Sequence, residues 1–247
     1  MDIKLKSSLA IYAILAYLIA PSPAVAIPYN VIDLGTTDEM YSNPVLAKIK
    51  FNERKNINSS GQTIINGDDG RAWISNPDGT VTELRPLEGS YYSSGYLIND
   101  SGDVAGTSVI FVRCTIDGCQ FPGERSVSTL WKRDGTVVEL WSGEVTFIND
   151  SGLVAGREDD GSRFYPVLWQ EGVMVDFYSL LGPVLTNEEG WEIRDILGIN
   201  DDNWILALAV NYFYDYPAHG FLFTPVIETL DIEPAQLFPV PEPGLLS

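Results

Sequence analysis

The chain has 247 residues, with 15 Lys and Arg against 34 Asp and Glu and a formal net charge of −19. So acidic a chain repels nucleic acid and anionic lipid headgroups, whose phosphates need clustered cations, and nucleic-acid binding is set aside. Its 45% hydrophobic and 11% aromatic content excludes disorder and suffices for one all-β domain with a sizeable core.

Residues 1–26 read as a secretory signal: Lys4 and Lys6 form a positive start, Leu9 to Ala20 is apolar, and Ala24-Val25-Ala26 gives the small-x-small cleavage pattern. The stretch is too short for a structural span, which needs about 20 apolar residues, though a retained N-terminal anchor is the alternative. The mature chain then begins near Ile27 and carries no stable membrane anchor. Losing Lys4, Lys6 and Asp2 takes the counts from 15 and 34 to 13 and 33, a net charge of −20. Solubility and blunted sheet edges explain that acidity, with cation binding as the other reading.

Residues 27–232 are expected to form one repeat domain, and 233–247 a Pro-rich tail. The segment Tyr29 to Gly35 has the pattern of a strand. A block close to Ile-Asn-Asp-Ser-Gly then recurs at Ile57 to Gly61, Ile98 to Gly102, Ile148 to Gly152 and, degenerate, Ile199 to Asn203. Its asparagines, Asn58, Asn99, Asn149 and Asn200, are 41, 50 and 51 residues apart, the length of a four-stranded β unit. In a tight hairpin Asn opens a type I turn through its side chain, and Gly61, Gly102 and Gly152 take the left-handed position that follows. On this reading backbone geometry alone explains the repeated Asn and Gly.

Each block is followed by strand signals in one order. In the first copy these are Gln62 to Asn66, Arg71 to Ile74, an Asp78-Gly79 turn and Thr80 to Leu84. In the second they are Asp103 to Ile110, Ser128 to Lys132, an Asp134-Gly135 turn and Thr136 to Leu140, whose alternation marks a half-buried strand. The third has Leu153 to Gly156, Val167 to Trp169, Glu171-Gly172 and Val173 to Phe177. The fourth has Trp204 to Val210, Gly220 to Phe223 and Val226 to Leu230 as a last strand. Such meanders must pack face to face, with Trp73, Trp131, Trp169 and Phe223 as core plugs at equivalent positions; a ligand-lining role for the Trp is the alternative. The expected fold is all-β and β-propeller-like, with four or five blades of four-stranded antiparallel meanders, or else an open stacked β-repeat array. In a closed ring Tyr29 to Gly35 would pair with the last blade and remove open edges.

Cys114 and Cys119 bracket an Asp117-Gly118 turn and are expected to form a local disulfide, worth on the order of 2 kcal/mol. Zinc wants four ligands, and the chain's single His is His219, far from both cysteines.

The motifs resemble bacterial extracellular HAF repeats. The resemblance rests on Tyr29 to Thr36, on Ile-Asn-Asp-Ser-Gly-x-Val-Ala-Gly at 98–106 and 148–156, and on Leu-Trp before an Asp-Gly or Glu-Gly turn. The naming tripeptide has its best echo in His219-Gly220-Phe221, while Arg71-Ala72-Trp73, Thr129-Leu130-Trp131 and Val167-Leu168-Trp169 depart from it. The resemblance spans about residues 29–225 and implies a secreted, β-propeller-like protein with no assigned activity. Pro239 to Gly244 resembles the opening of a PEP-CTERM sorting signal, without the hydrophobic segment and basic cluster that follow in that family. That tail implies export to the surface of a Gram-negative bacterium and a link to extracellular polysaccharide.

No catalytic constellation stands out. Glycoside hydrolysis needs two carboxyl groups roughly 5–10 Å apart, one of them buried. Most acids here (Asp68, Asp69, Asp100, Asp150, Asp159, Asp160, Asp201, Asp202) sit in turns and read as solvated turn formers. Glu188, Glu189 and Glu192 are the least explained. No Gly-x-Ser-x-Gly elbow occurs. No cofactor is expected; calcium is the alternative, since turn Asp and Asn supply oxygen ligands, although no stretch matches its twelve-residue loop. Tyr91, Tyr92 and the run Tyr212 to Tyr216 could stack on sugars or simply pack between strands. The expected function is a secreted, non-enzymatic binding or structural module for extracellular polysaccharide or another surface protein. The alternative is a carbohydrate-active enzyme, a glycosidase or lyase using Asp or Glu.

Overall fold

The computed structural model describes residues 29–44, 46–112, 123–177, 190–211 and 216–226. The predicted signal, Cys114, Cys119, Glu188, Glu189, Tyr212 to Asp215 and the Pro-rich tail lie outside these residues. The described chain is all-β apart from a six-residue helix and a 3-10 turn at Leu46–Lys48. In order it contains β1 (Tyr29–Thr36), α1 (Thr37–Ser42), β2 (Thr63–Asn66), β3 (Ala72–Ser75), β4 (Val81–Leu84), β5 (Ser90–Ile98), β6 (Val104–Val112) and β7 (Gly123–Trp131). There follow β8 (Val137–Ile148), β9 (Val154–Asp159), β10 (Phe164–Gln170), β11 (Val173–Asp176), β12 (Trp191–Ile199), β13 (Ile205–Asn211) and β14 (Tyr216–Pro225).

Every strand pair is antiparallel, and the strands form three sheets of order β2-β3-β4, β5-β6-β7-β8-β9-β10-β11 and β1-β14-β13-β12. The seven-stranded sheet joins two repeats because β8 pairs with β7 up to Ser142 and with β9 from Gly143 onward. Gly143 sits at that joint with φ of 141°, and a Cβ there would collide with the carbonyl oxygen of Arg157. A glycine is required where one strand changes partners.

The N-terminal strand completes the C-terminal sheet: β1 lies along β14, with Asn30 opposite Thr224 and Ile32 opposite Leu222. That edge is where Val226 to Leu230 was expected. Val226 is outside any strand, and 227–230 lie beyond the described residues. On the same seam His219 Nδ1 lies 3.0 Å from Asp33 Oδ1, and the imidazole packs 4.6 Å from the Trp191 ring.

Sheet-on-sheet burial follows the repeats. Trp131 packs with Ile64, Ile74 and Leu84 of the preceding repeat, and its Nε1 donates to Arg85 O at 2.6 Å. Trp169 packs with Leu97 and Leu130, and Phe223 with Leu153 and Leu168, again one repeat back. The last such face, Leu222 with Leu206 and Leu34, is covered by Met40 of α1, which is 0% exposed. A capping box between Thr36 and Glu39 starts that helix, fixing the entry of Met40 into the gap.

Trp73 departs from the expected equivalence. Ladder register sets Val104 opposite Trp131, Val154 opposite Trp169 and Ile205 opposite Phe223, but Thr63 opposite Ser75. Ser75 therefore holds the plug position of the first repeat, and Trp73 stands two residues before it, half-buried, beside Ile65 and Glu83. The physical reason is the missing preceding sheet: this outer face has no earlier repeat to pack against, and Ile65 and Val81 on it are 44% and 63% exposed.

Candidate functional site

The repeated Asn turns are hydrogen-bonded to one another. Each Asn closes its own hairpin, its Oδ1 accepting from the N–H four residues on: Gln62 at 3.0 Å, and Asp103, Leu153 and Trp204 at 2.8 Å. The first three also reach the next repeat. Asn58 Nδ2 donates to Asn99 O at 3.1 Å, Asn99 Nδ2 to Asn149 O at 2.9 Å, and Asn149 Nδ2 to Asn200 O at 2.8 Å. Turn geometry thus accounts for only half of what these side chains do. All four are buried, at 5%, 4%, 0% and 7% exposure.

A second course of hydrogen bonds runs beside the first. Ser59 N donates to Asp100 Oδ1 at 2.8 Å, Asp100 N to Asp150 Oδ1 at 2.7 Å, and Asp150 N to Asp201 Oδ1 at 3.0 Å. These acids were expected to be solvated turn formers; Asp100 and Asp201 are indeed exposed in their turns, and all three also link repeats, because turns at a fixed spacing stack and bring each carboxylate to a backbone donor of the preceding repeat. The hydrogen bond from Ser59 holds the Asp100 carboxyl below its ordinary range. Burial, together with the charges of Asp201 and Asp100, pushes Asp150 up despite its own hydrogen bond. Asp159 and Asp160, by contrast, do act as local turn formers, accepting from Gly161 and from Ser162 and Arg163.

In the degenerate fourth turn Asn203 replaces Gly at φ of 61°, a conformation Asn tolerates. Its Oδ1 accepts from Asn149 Nδ2 at 2.7 Å and Ser151 Oγ at 2.6 Å, tying the third and fourth turns together.

The circuit returns to its start through the segment preceding the first turn. Asn52 N donates to Ile199 O at 2.7 Å and Asn52 Nδ2 to Asp201 Oδ1 at 2.8 Å, while Ile98 N donates to Lys55 O at 2.9 Å. The first repeat's inner segment is therefore hydrogen-bonded to the fourth repeat on one side and the second on the other.

Residues of these inner segments line an open cavity of about 650 Å³. The first repeat contributes Arg54 and Asn56, the second Tyr96 and Leu97, the third Glu144 to Thr146, and the fourth Asp195. Thr107, Ser126 and Arg157 complete the wall from neighbouring strands. Bulges aim the lining: the β5–β6 register shifts between Gly95 and Leu97, and the β8–β9 register between Val145 and Phe147, so Tyr96 and Thr146 are the extra residues at matching positions. Bulges commonly re-aim side chains beside binding sites. The glycines Gly106 and Gly156 face these bulges, where a Cβ would collide with Ser94 O and Glu144 O.

The cavity mixes charge with one aromatic face. Arg157 pairs with Glu144 at 3.1 Å, and the Arg54 guanidinium lies 5.2 Å from the Phe147 ring centre. Tyr96 is 47% exposed and presents its ring. Glu144 and Asp195 sit five residues before Asn149 and Asn200, Tyr96 and Thr146 three before theirs. The sequence reading missed all of them, although counting back from each repeated Asn finds them.

The residues singled out from sequence lie elsewhere. Glu192 is engaged by Arg163 at 3.8 Å and Arg194 at 4.0 Å. Tyr91 stacks on Phe111, ring centres 4.2 Å apart, so one of its faces is already covered. Among the described residues no group of three or more His, Cys, Asp or Glu is placed to hold a metal ion, and no helix is long and apolar enough to cross a membrane. No protein-family model, curated protein or solved structure matches the chain.

Proposed function

We propose that the chain is an exported, four-bladed β-propeller-like module that binds extracellular polysaccharide in its central cavity without transforming it. The observation that carries this reading is that all four repeats contribute inner-segment residues to one cavity. Ring closure at the inner segments is supported by the hydrogen bonds from Asn52 back to Ile199 and Asp201, and β1 serves as outer strand of the last sheet, whose outward face is covered by α1 and not by the first sheet. The signal-like residues 1–26 and the HAF and PEP-CTERM resemblances support export to a Gram-negative cell surface.

The lining suits a sugar. Hydroxyl groups donate and accept at once, so they pair with Arg54, Asn56, Thr146 and Asp195, while the Tyr96 ring offers an apolar face to a pyranose. A neutral glycan fits best, since cavity arginines and carboxylates are equal in number and the whole chain is strongly acidic.

Glu144 and Asp195 in one cavity favour a second reading, a glycosidase or lyase. A general acid must arrive protonated, which burial promotes, and the Glu144 side chain is 63% exposed and held by Arg157. The binder is the better reading. A glycan array probed with the full chain should show binding that falls about tenfold in Tyr96→Ala and Arg54→Ala. Loss of no signal in either variant, or release of reducing sugar that Glu144→Gln abolishes, overturns it.

A further inference from the structure

Independently of what the cavity binds, we infer that the outer face of the first sheet is a docking surface for this chain's own residues 230–238, which take the place of the missing preceding sheet. Register puts four large apolar residues on that face: Ile57, Thr63, Ser75 and Val81 form one cross-strand row, and Ile65, Trp73 and Glu83 the next row of the same face. Ile57, Ile65 and Val81 are 50%, 44% and 63% exposed. The repeat itself marks this face as one built to be covered. Ile98, Ile148 and Ile199, which precede the turn asparagines as Ile57 does, are each buried against the sheet one repeat back. The first copy has no such sheet, since the last one turns its outward face to α1.

The size of the patch decides what covers it. Three strands of four residues, with the Asn52 to Ile57 segment beside them, measure roughly 20 Å by 13 Å, about 250 Å² in plan. Each partner of a stable dimer buries about 800 Å². A second copy is therefore a poor occupant, whereas a tethered segment meets the face at an effective concentration near millimolar. Residues 230–238, beyond the described residues, carry the matching pattern. Leu230 and Ile232 alternate with Asp231 and Glu233, offering one apolar side to a sheet and one acidic side to water; Pro234 ends the run and Leu237-Phe238 follow. They are also within reach. Phe223, Ile205 and Ile199 share one row of the last sheet, so Phe223 is about 10 Å from Ile199. Asn52, bonded to Ile199 O, precedes Ile57 by five residues, at most about 18 Å. The fifteen residues from Phe223 to Phe238 can extend about 50 Å, longer than that path.

The test uses the full chain with the photoreactive residue p-benzoylphenylalanine in place of the exposed Val81. Irradiation should join position 81 to a peptide from residues 230–238 within a product of monomer size, read by mass spectrometry of the digest. Leu230→Asp combined with Phe238→Asp should lower that yield about tenfold, since a charge in place of each apolar contact opposes docking, while the circular dichroism of the sheets stays unchanged. A yield that the double variant leaves as it was, cross-links only to other parts of the chain, or dimer-sized products as the main outcome each overturn the inference. None of these results touches the cavity reading, which Tyr96→Ala and Arg54→Ala test separately.

Discussion

Asn149 donates from Nδ2 to the backbone oxygen of Asn200, 51 residues away, at 2.8 Å, and is wholly buried while doing so. One side chain thereby joins two repeats and, through its Oδ1 on Leu153 N, closes its own hairpin. Removing it strands the Leu153 N–H and takes one donor each from Asn203 Oδ1 and Asn200 O, and a buried group left unpaired costs about 1–3 kcal/mol. Asn149→Ala should destabilise the fold by about 2–4 kcal/mol in chemical denaturation. Asn58→Ala, at the end of the chain of links, should cost less, because its Nδ2 serves one inter-repeat contact and Gln62. Equal costs at the two sites would contradict the ladder.

The register of the first sheet makes two tryptophans unequal. Trp131 fills the interface between repeats and bonds Arg85 O, so Trp131→Ala should cost about 3–5 kcal/mol. Trp73, half-buried on a face without a preceding sheet, should cost about 1–2 kcal/mol when cut to Ala. Urea unfolding of both variants checks this, and similar losses would argue for equivalent positions.

Gly156 offers a backbone test. Its position in β9 lies against the Glu144 carbonyl, leaving no room for a Cβ, so Gly156→Ala must displace the bulged inner strand. Overpacking of this kind typically costs about 1–3 kcal/mol. Since that strand carries Glu144 and Thr146, glycan binding should weaken together with stability. A variant as stable as the parent would show that the strand relaxes freely.

The stacked aspartates give opposite pH signs. Asp100 is held low in the folded state, so its contribution is present above the unfolded carboxylate range and fades as pH falls through its folded value. Asp150 is pushed up, so its charged form opposes folding; its contribution is present below the unfolded value and is lost as pH rises through the folded one. Asp150→Asn keeps an oxygen to accept from Asp100 N and removes the repulsion. It should be more stable than the parent at neutral pH, with the difference shrinking on acidification. Melting curves at pH values spanning the carboxylate range check the sign, and a gap that widens toward acid would refute it.

Much of the architecture was legible in the chain. The turn residues repeat because a left-handed position demands Gly61, Gly102 and Gly152, and short-range backbone geometry is written locally. The alternation of Thr136 to Leu140 and the strand-like look of Tyr29 to Gly35 likewise rest on neighbours in sequence, and the structure has strands at both. Burial against another repeat is a different matter. Trp73 carries the same letter as Trp131, yet loops of unequal length separate each Trp from its Asn, and only the pairing of Thr63 with Ser75 reveals the offset.

The amino-acid sequence by itself determined the repeat and its turns, since each depends on interactions among residues a few positions apart. Only the tertiary structure decided that the turn asparagines and aspartates bond across 41 to 51 residues, and that Arg54, Tyr96, Glu144 and Asp195 share one cavity. The reason is physical: a hydrogen bond or a cavity wall between repeats depends on how sheets stack, and the stacking is set by the sum of buried contacts, not by any one segment.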